Sequence, residues 1–133
     1  MIVGVGIDII EIGRVAQAIG REAFIRRVFT ARERSYCDER GAQRAASYAA
    51  RFAGKEAVLK AFGTGLSGGS LQDIDIVNDA LGCPQVELTG YFARLAEKRS
   101  ITKIHISLTH AREYAAAQAI LWRSESNESN YGS

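Results

Sequence analysis

Residues 44–60, RAASYAARFAGKEAVLK, restrict the folds open to this chain more than any other stretch. Placed at about 100° per residue, Ala45, Tyr48, Ala49, Phe52, Ala53, Ala57 and Leu59 fill one broad apolar arc, and the spacing predicts a long helix over 43–62. Glu56 projects from the middle of that arc. Arg44, Arg51 and Lys55 gather on one flank, while Lys60 stands one turn beyond Glu56 on its own side. A carboxylate aimed into a packed face needs a cation, a close partner or a proton. Two readings are open: an i,i+4 ion pair with Lys60 on a partly solvated helix, or a carboxylate kept for a ligand.

The rest of the chain bears on that choice. Residues 2–10 read as a buried strand, with Val3, Val5, Ile7 and Ile9 on one face and Ile2, Gly4, Gly6, Asp8 and Ile10 on the other. Glycines in a strand mark the close approach of a ligand or another backbone. Asp8, on that cleared face, is either a helix cap or a functional carboxylate. A short helix is expected over 11–20, with Ile12, Val15, Ala16 and Ile19 at helical spacing and Gly20 as its stop. Arg14, Arg21, Arg26 and Arg27 surround Phe24 and Ile25, an arginine cluster with one exposed aromatic that suits an acidic protein helix or phosphates. Thr30-Ala-Arg-Glu33 matches a capping box opening a helix to about Glu39. Gly41 marks a break before the long helix.

After Phe62, GTGLSGGS satisfies G-x-G-x-x-G in letters but follows a helix, so dinucleotide binding is a poor reading. A phosphate-side loop and plain helix termination both stay open. Strands over 72–78 and 85–88 flank a turn that ends at Pro84. A helix around 90–99 leads into a strand over 102–109, where His105, Ser107 and Thr109 share one face and Ile104, Ile106 and Leu108 the other. His110 follows at the strand end. A last strand, EYAAAQAILW at 113–122, offers small alanines for tight packing of sheet on helix. The tail SESNESNYGS has no apolar pattern and is expected to be disordered. The organisation expected is one catalytic domain over 1–123 and a tail over 124–133.

Composition enters through charge. Net charge is only +2, but residues 14–60 carry eleven Lys/Arg against five Asp/Glu. A positive surface of that kind suits a phosphate-bearing ligand or an acidic partner. No recognition-helix motif accompanies it, so nucleic acid is not an expected partner. No apolar run approaches membrane-spanning length, the start MIVGVGIDII lacks signal-peptide features, and Cys37 and Cys83 form no metal or redox spacing. A reduced cytoplasmic setting fits.

Two carboxylates in apolar settings, Asp8 on a strand and Glu56 on a helix, with water and a ligand's phosphate oxygens, suit Mg²⁺, which takes few protein ligands. Two histidines five apart make a weak zinc set. Three stretches then resemble one family: GIDIIEIGR (Gly6–Arg14), RFAGKEAVLKAFGTG (Arg51–Gly65) and HISLTHAREYAAAQ (His105–Gln118) are similar to the holo-[acyl-carrier-protein] synthases, the short-chain branch of the 4'-phosphopantetheinyl transferases. The resemblance spans residues 1–122. It implies an α+β fold, a small antiparallel-rich sheet packed against a long central helix, usually assembled as a trimer with each site built across two subunits. It also implies Mg²⁺-dependent transfer of the phosphopantetheine arm of coenzyme A to a serine of apo-acyl carrier protein in fatty acid biosynthesis, releasing adenosine 3',5'-bisphosphate.

By the same resemblance Asp8 and Glu56 hold Mg²⁺, and these two with Lys60 form the catalytic set. Arg51, Phe52, Lys60, Gly63, Gly82, Pro84, His105, Ser107, Thr109 and His110 would bind coenzyme A; Arg14, Arg21, Phe24 and Arg27 would dock the carrier protein. Metal-oriented water and Glu56 are both open as acceptor of the serine proton. Phe52 stands where many members have Trp, Cys83 where a basic residue is frequent, and Gly54 for a common alanine, at a cost of up to ~1 kcal/mol of helix stability. The contrasting reading is a non-catalytic module that binds coenzyme A or acidic helices.

Overall fold

Seven alanines and a run of straight-chain residues make 44–62 a strong helix former, and the other elements are arranged around it. The computed structural model describes residues 1–125. In chain order these form strand β1 (Ile2–Glu11), helices α1 (Ile12–Ala18), α2 (Glu22–Val28), α3 (Ala31–Asp38) and α4 (Arg44–Phe62), strands β2 (Ile74–Asn78) and β3 (Pro84–Leu88), helix α5 (Gly90–Lys98), and strands β4 (Lys103–Ala111) and β5 (Tyr114–Trp122). The fold is α+β, as expected. The tail expected to be disordered lies, from residue 126 onward, outside the described residues.

The sheet is antiparallel in the order β1-β5-β4, and β2 and β3 form a separate antiparallel hairpin. Helix α4 lies across one sheet face. Gly4 and Gly6 make this possible: a Cβ at either would collide with α4 backbone, at the Ala61 carbonyl and the Ala57 carbonyl respectively. The glycine-cleared face therefore admits another backbone rather than a ligand. Opposite, Ala115, Ala117 and Ala119 of β5 present small buried side chains to the same helix. Gly63, at φ 76°, closes α4 with its N–H on the Leu59 carbonyl at 2.9 Å, the geometry of a helix stop.

Two apolar clusters flank the helix. Its C-terminal half packs with the sheet, the hairpin and α5; its N-terminal half packs with α1, α2 and α3. Helix α2, which the apolar spacing did not announce, turns Ile25 and Val28 inward, and Phe24 stacks 6.1 Å from both Phe29 and Phe52. Phe24 is half-buried, not the exposed aromatic expected. The capping box at Thr30 and Glu33 is present, with Thr30 N–H donating to Glu33 Oε1 at 2.8 Å.

One expectation about β1 fails. The strand is not buried on both faces: Val5, Ile7 and Ile9 are 52%, 67% and 66% exposed, because only the other face carries a helical layer.

Candidate functional site

Asp8 lies in β1 opposite Ala117, on the helix-covered side of the sheet. Lys60, in the last turn of α4, reaches over the strand to donate to Asp8 Oδ1 at 2.9 Å and to the Ile7 carbonyl at 3.1 Å. The i,i+4 pair with Glu56 does not form; Lys60 serves the strand instead. Glu56 is half-buried, and it shares with Asp8, Ile10, Glu11, Arg14, Phe52 and Tyr114 a cavity of about 430 Å³. Burial, and then the charge of Asp8, pushes its carboxyl above the ordinary glutamate range, with Lys60 opposing. Two carboxylates that repel, one with raised proton affinity, mark a place where a cation is stabilised.

The donor set decides which cation fits. It is all oxygen, it supplies two protein carboxylates, and the cavity has room for water and phosphate oxygens, which matches Mg²⁺. Among the described residues no group of three or more His, Cys, Asp or Glu side chains converges as a softer metal would need. Glu11 and Tyr114 were not anticipated from the sequence. They enter the cavity because the last pair of the β1–β5 ladder, Glu11 with Tyr114, forms its rim.

His105 and Ser107 lie elsewhere. The ladder sets Ser107 beside Gln118 and Ile7, and Thr109 beside Ala116 and Ile9, all on the face that α4 does not cover. The polar row is real and exposed, but within one chain Glu56 does not point toward it; sheet and helix intervene. Its alternation was legible, whereas the side of the sheet it occupies depends on pairing with β5. At the edge of β4, His105 and Ser107 instead meet Cys83, Pro84 and Gln85 around a groove of about 470 Å³. The preceding turn is tied together by Asp79, whose Oδ1 accepts the N–H groups of Leu81 and Cys83 at 2.9 Å each, with Gly82 at φ 85°. His110, of opposite parity, is exposed at the strand end.

Arg51 is 5% exposed, with a guanidinium nitrogen 2.9 Å from Asn78 Oδ1, at the root of that turn, and its Cζ 4.4 Å from the Tyr36 ring centre. Its Nε has no hydrogen-bond partner. Sequence reading set Arg51 on a charged flank; the structure buries it. Arg14 and Arg21 line a second open groove with Gln17, and Arg27 lies 5.9 Å over the Phe24 ring. Arg14 borders both this groove and the carboxylate cavity.

Lys55 departs furthest from expectation. It is wholly buried, and Nζ donates to Glu33 Oε1 at 2.8 Å, Leu71 O at 2.7 Å and Ile74 O at 2.6 Å. Glu33, also wholly buried, accepts from Ile76 N–H at 2.8 Å through its other oxygen. Burial pushes the Glu33 carboxyl up and the Lys55 ammonium down, and each charge opposes the shift of the other. The capping box identified Glu33 only as a cap; no spacing signal linked it to Lys55, 22 residues on.

An α+β domain with a long helix laid over a glycine-cleared strand, and paired carboxylates where they cross, defines a class: the chain belongs to the 4'-phosphopantetheinyl transferase superfamily, whose family model matches residues 4–119. Within that class it is 44% identical over 119 residues, 87% of this chain and 89% of the other, to the holo-[acyl-carrier-protein] synthase of Ruminiclostridium cellulolyticum. The crystal structure of holo-[acyl-carrier-protein] synthase from Neisseria meningitidis superimposes with a TM-score of 0.84 at 29% identity, covering 92% of this chain and all of that one. The Bacillus anthracis holo-(acyl-carrier-protein) synthase, solved in complex with CoA (3',5'-ADP), matches with a TM-score of 0.78 at 36% identity, over 93% and 99% of the two chains.

Proposed function

We propose that this chain transfers the 4'-phosphopantetheine arm of coenzyme A to a serine of apo-acyl carrier protein, giving holo-acyl carrier protein and adenosine 3',5'-bisphosphate, in the cytoplasm and in fatty acid biosynthesis. The observation that carries the reading is the meeting of Asp8 and Glu56 in a cavity bordered by Arg14, with Lys60 bonded to Asp8. The serine oxygen attacks the phosphorus next to the pantetheine arm, the bond to the nucleotide phosphate breaks, and charge grows on the leaving oxygen. Positioning and charge neutralisation supply most of the catalysis in such transfers.

Asp8 and Glu56 would hold Mg²⁺, which when bound neutralises pyrophosphate charge. Lys60 adds a fixed ammonium on the same side, already oriented by Asp8 and the Ile7 carbonyl. Phe52 and Tyr114 wall the cavity and limit water. The groove of Pro84, His105 and Ser107 suits the nucleotide end of coenzyme A, with Gly82 shaping the turn beside it. Arg51 keeps that turn in place from behind and brings a buried guanidinium whose Nε has no hydrogen-bond partner among the described residues, which a phosphate would satisfy. Gly63, Thr109 and His110 complete the proposed coenzyme A set. Arg14, Arg21 and Arg27, with Phe24 as apolar backing, form the proposed docking face for the acidic carrier protein.

Assembly belongs to the same reading. Val5, Ile7 and Ile9 leave an apolar stripe beside the row His105, Ser107 and Thr109 on one uncovered face. A homotrimer closing over that face buries the stripe and brings the polar row of one copy to the carboxylates of another. The deciding experiment mixes the protein with coenzyme A, Mg²⁺ and apo carrier protein and reads intact mass. A gain of one phosphopantetheine arm on the carrier is expected; no gain under competent conditions overturns the reading.

A further inference from the structure

The buried pair Glu33–Lys55 touches neither cavity, and the proposed transfer leaves it unused. A fully buried ion pair is weak evidence for stability, since well-packed apolar residues of like volume often do as well. Its geometry offers something apolar packing does not. One ammonium is bonded to three oxygens from three segments: Glu33 of α3, Leu71 in the short 3₁₀ turn Leu71–Asp73, and Ile74 of β2. Glu33 is itself held by the N–H groups of Thr30 and Ile76. Where α4 crosses β1 and β5, by contrast, the contacts are glycine backbone and alanine methyls, and Lys60 ties the last turn of the helix to Asp8 and the Ile7 carbonyl. The backbone and methyl contacts set the distance between helix and sheet, and rotation is left to side-chain bonds such as those of Lys60 at one end and Lys55 in the middle.

We propose that Lys55 is a positioning residue: its three bonds fix the rotation of α4 about its own axis and so aim the neighbouring Glu56 at Asp8, a role that rests on the transferase reading above. Side chains extend about 5–6 Å from a helix axis, so a rotation of ~10° carries the Glu56 carboxylate by ~1 Å. Misplacements of that size cost on the order of 10²-fold in rate. The same bonds hold the turn that leads into β2, whose far end carries Asn78 and the nucleotide-side turn. Lys55 thus sets the carboxylate cavity and the coenzyme A groove in one register.

Two variants separate positioning from plain stability. Glu33→Gln leaves the ammonium an amide oxygen in place of the carboxylate, so it should lower Tm while keeping transfer close to parental. Glu33→Gln with Lys55→Met removes both charges together, so Tm should recover in part, short of parental because the Leu71 and Ile74 carbonyls lose their donor, whereas kcat should fall about 10- to 100-fold, the range seen when groups supporting a metal site are lost. KM for carrier protein should stay unchanged. Mn²⁺ affinity in the presence of coenzyme A, read from the electron paramagnetic resonance of free Mn²⁺ without turnover, should weaken about tenfold in the double variant only. A double variant that regains Tm, rate and Mn²⁺ affinity together overturns the positioning role. A parental protein that transfers nothing sinks the transferase reading as well.

Discussion

Glu56 has two incompatible neighbours in the chain alone: an apolar helix face that disfavours its charge, and Asp8, which repels it. A carboxyl whose proton affinity is higher folded than unfolded contributes stability that is full below the ordinary glutamate range and is lost as pH rises through the folded value. Chelator-treated protein should therefore lose Tm as Glu56 ionises, and Glu56→Gln should flatten that part of the profile. Added Mg²⁺ should flatten it too, by competing with the proton. The same variant should lose more than the ~10- to 100-fold typical of outer groups around a metal, because it removes a ligand. Thermal melts over about pH 4 to 8, with and without Mg²⁺, check the first claim and steady-state transfer the second. An unchanged pH slope in the variant would contradict the strain assigned to this residue. At this scale the sequence was informative where chemistry is local: Glu56 in an apolar arc and Asp8 among aliphatics stood out by composition alone. Lys55 looked like one more flank cation, since its burial depends on Glu33, which only tertiary packing brings near.

Among elements, α4 and its contacts decide the most. Gly54 costs helix stability by propensity, yet a Cβ there would come within 2.5 Å of Ile76 Cδ1 and 2.9 Å of Leu108 Cδ2. Gly54→Ala should therefore fail to deliver the ~1 kcal/mol that helix propensity promises, since the Ile76 and Leu108 side chains must shift. Gly6→Ala should be far worse, at or above the upper end of the ~1–3 kcal/mol overpacking range, because the atoms it meets are α4 backbone. Urea melts of both variants give the comparison, and a stabilised Gly6→Ala would refute the packing. Element types along the chain followed from periodicity, and α4 and β5 ended within a residue or two of expectation. Helix α2 escaped because its seven residues carry three charges and only two buried positions, too little for a periodic signal. The burial of β1 was overestimated for another reason. Alternating aliphatics on both faces of a strand cannot reveal whether the second face meets the same chain or a different one.

For the whole molecule, the uncovered sheet face separates the carboxylates from the polar row of β4 within one chain. If copies complete each other's sites around a closed ring, Asp8→Asn and His105→Ala chains, each poorly active alone, should complement when co-expressed. In a random trimer each site has about one chance in four of taking both intact halves, so roughly a quarter of parental activity should return. Activity of the mixture no higher than the mean of the two variants would count against a shared site. A shared site is expected only from the family resemblance, because no residue pattern states which partner a face will meet.

The pairing of β1 with β5 joins Ile2 to Trp122, and the N-terminal ammonium donates to the Arg123 carbonyl at 2.6 Å. During synthesis the first strand therefore waits for the last, with its aliphatic row unprotected until nearly the whole chain has left the ribosome. Such long-range closure makes for slow folding and a long exposure to aggregation.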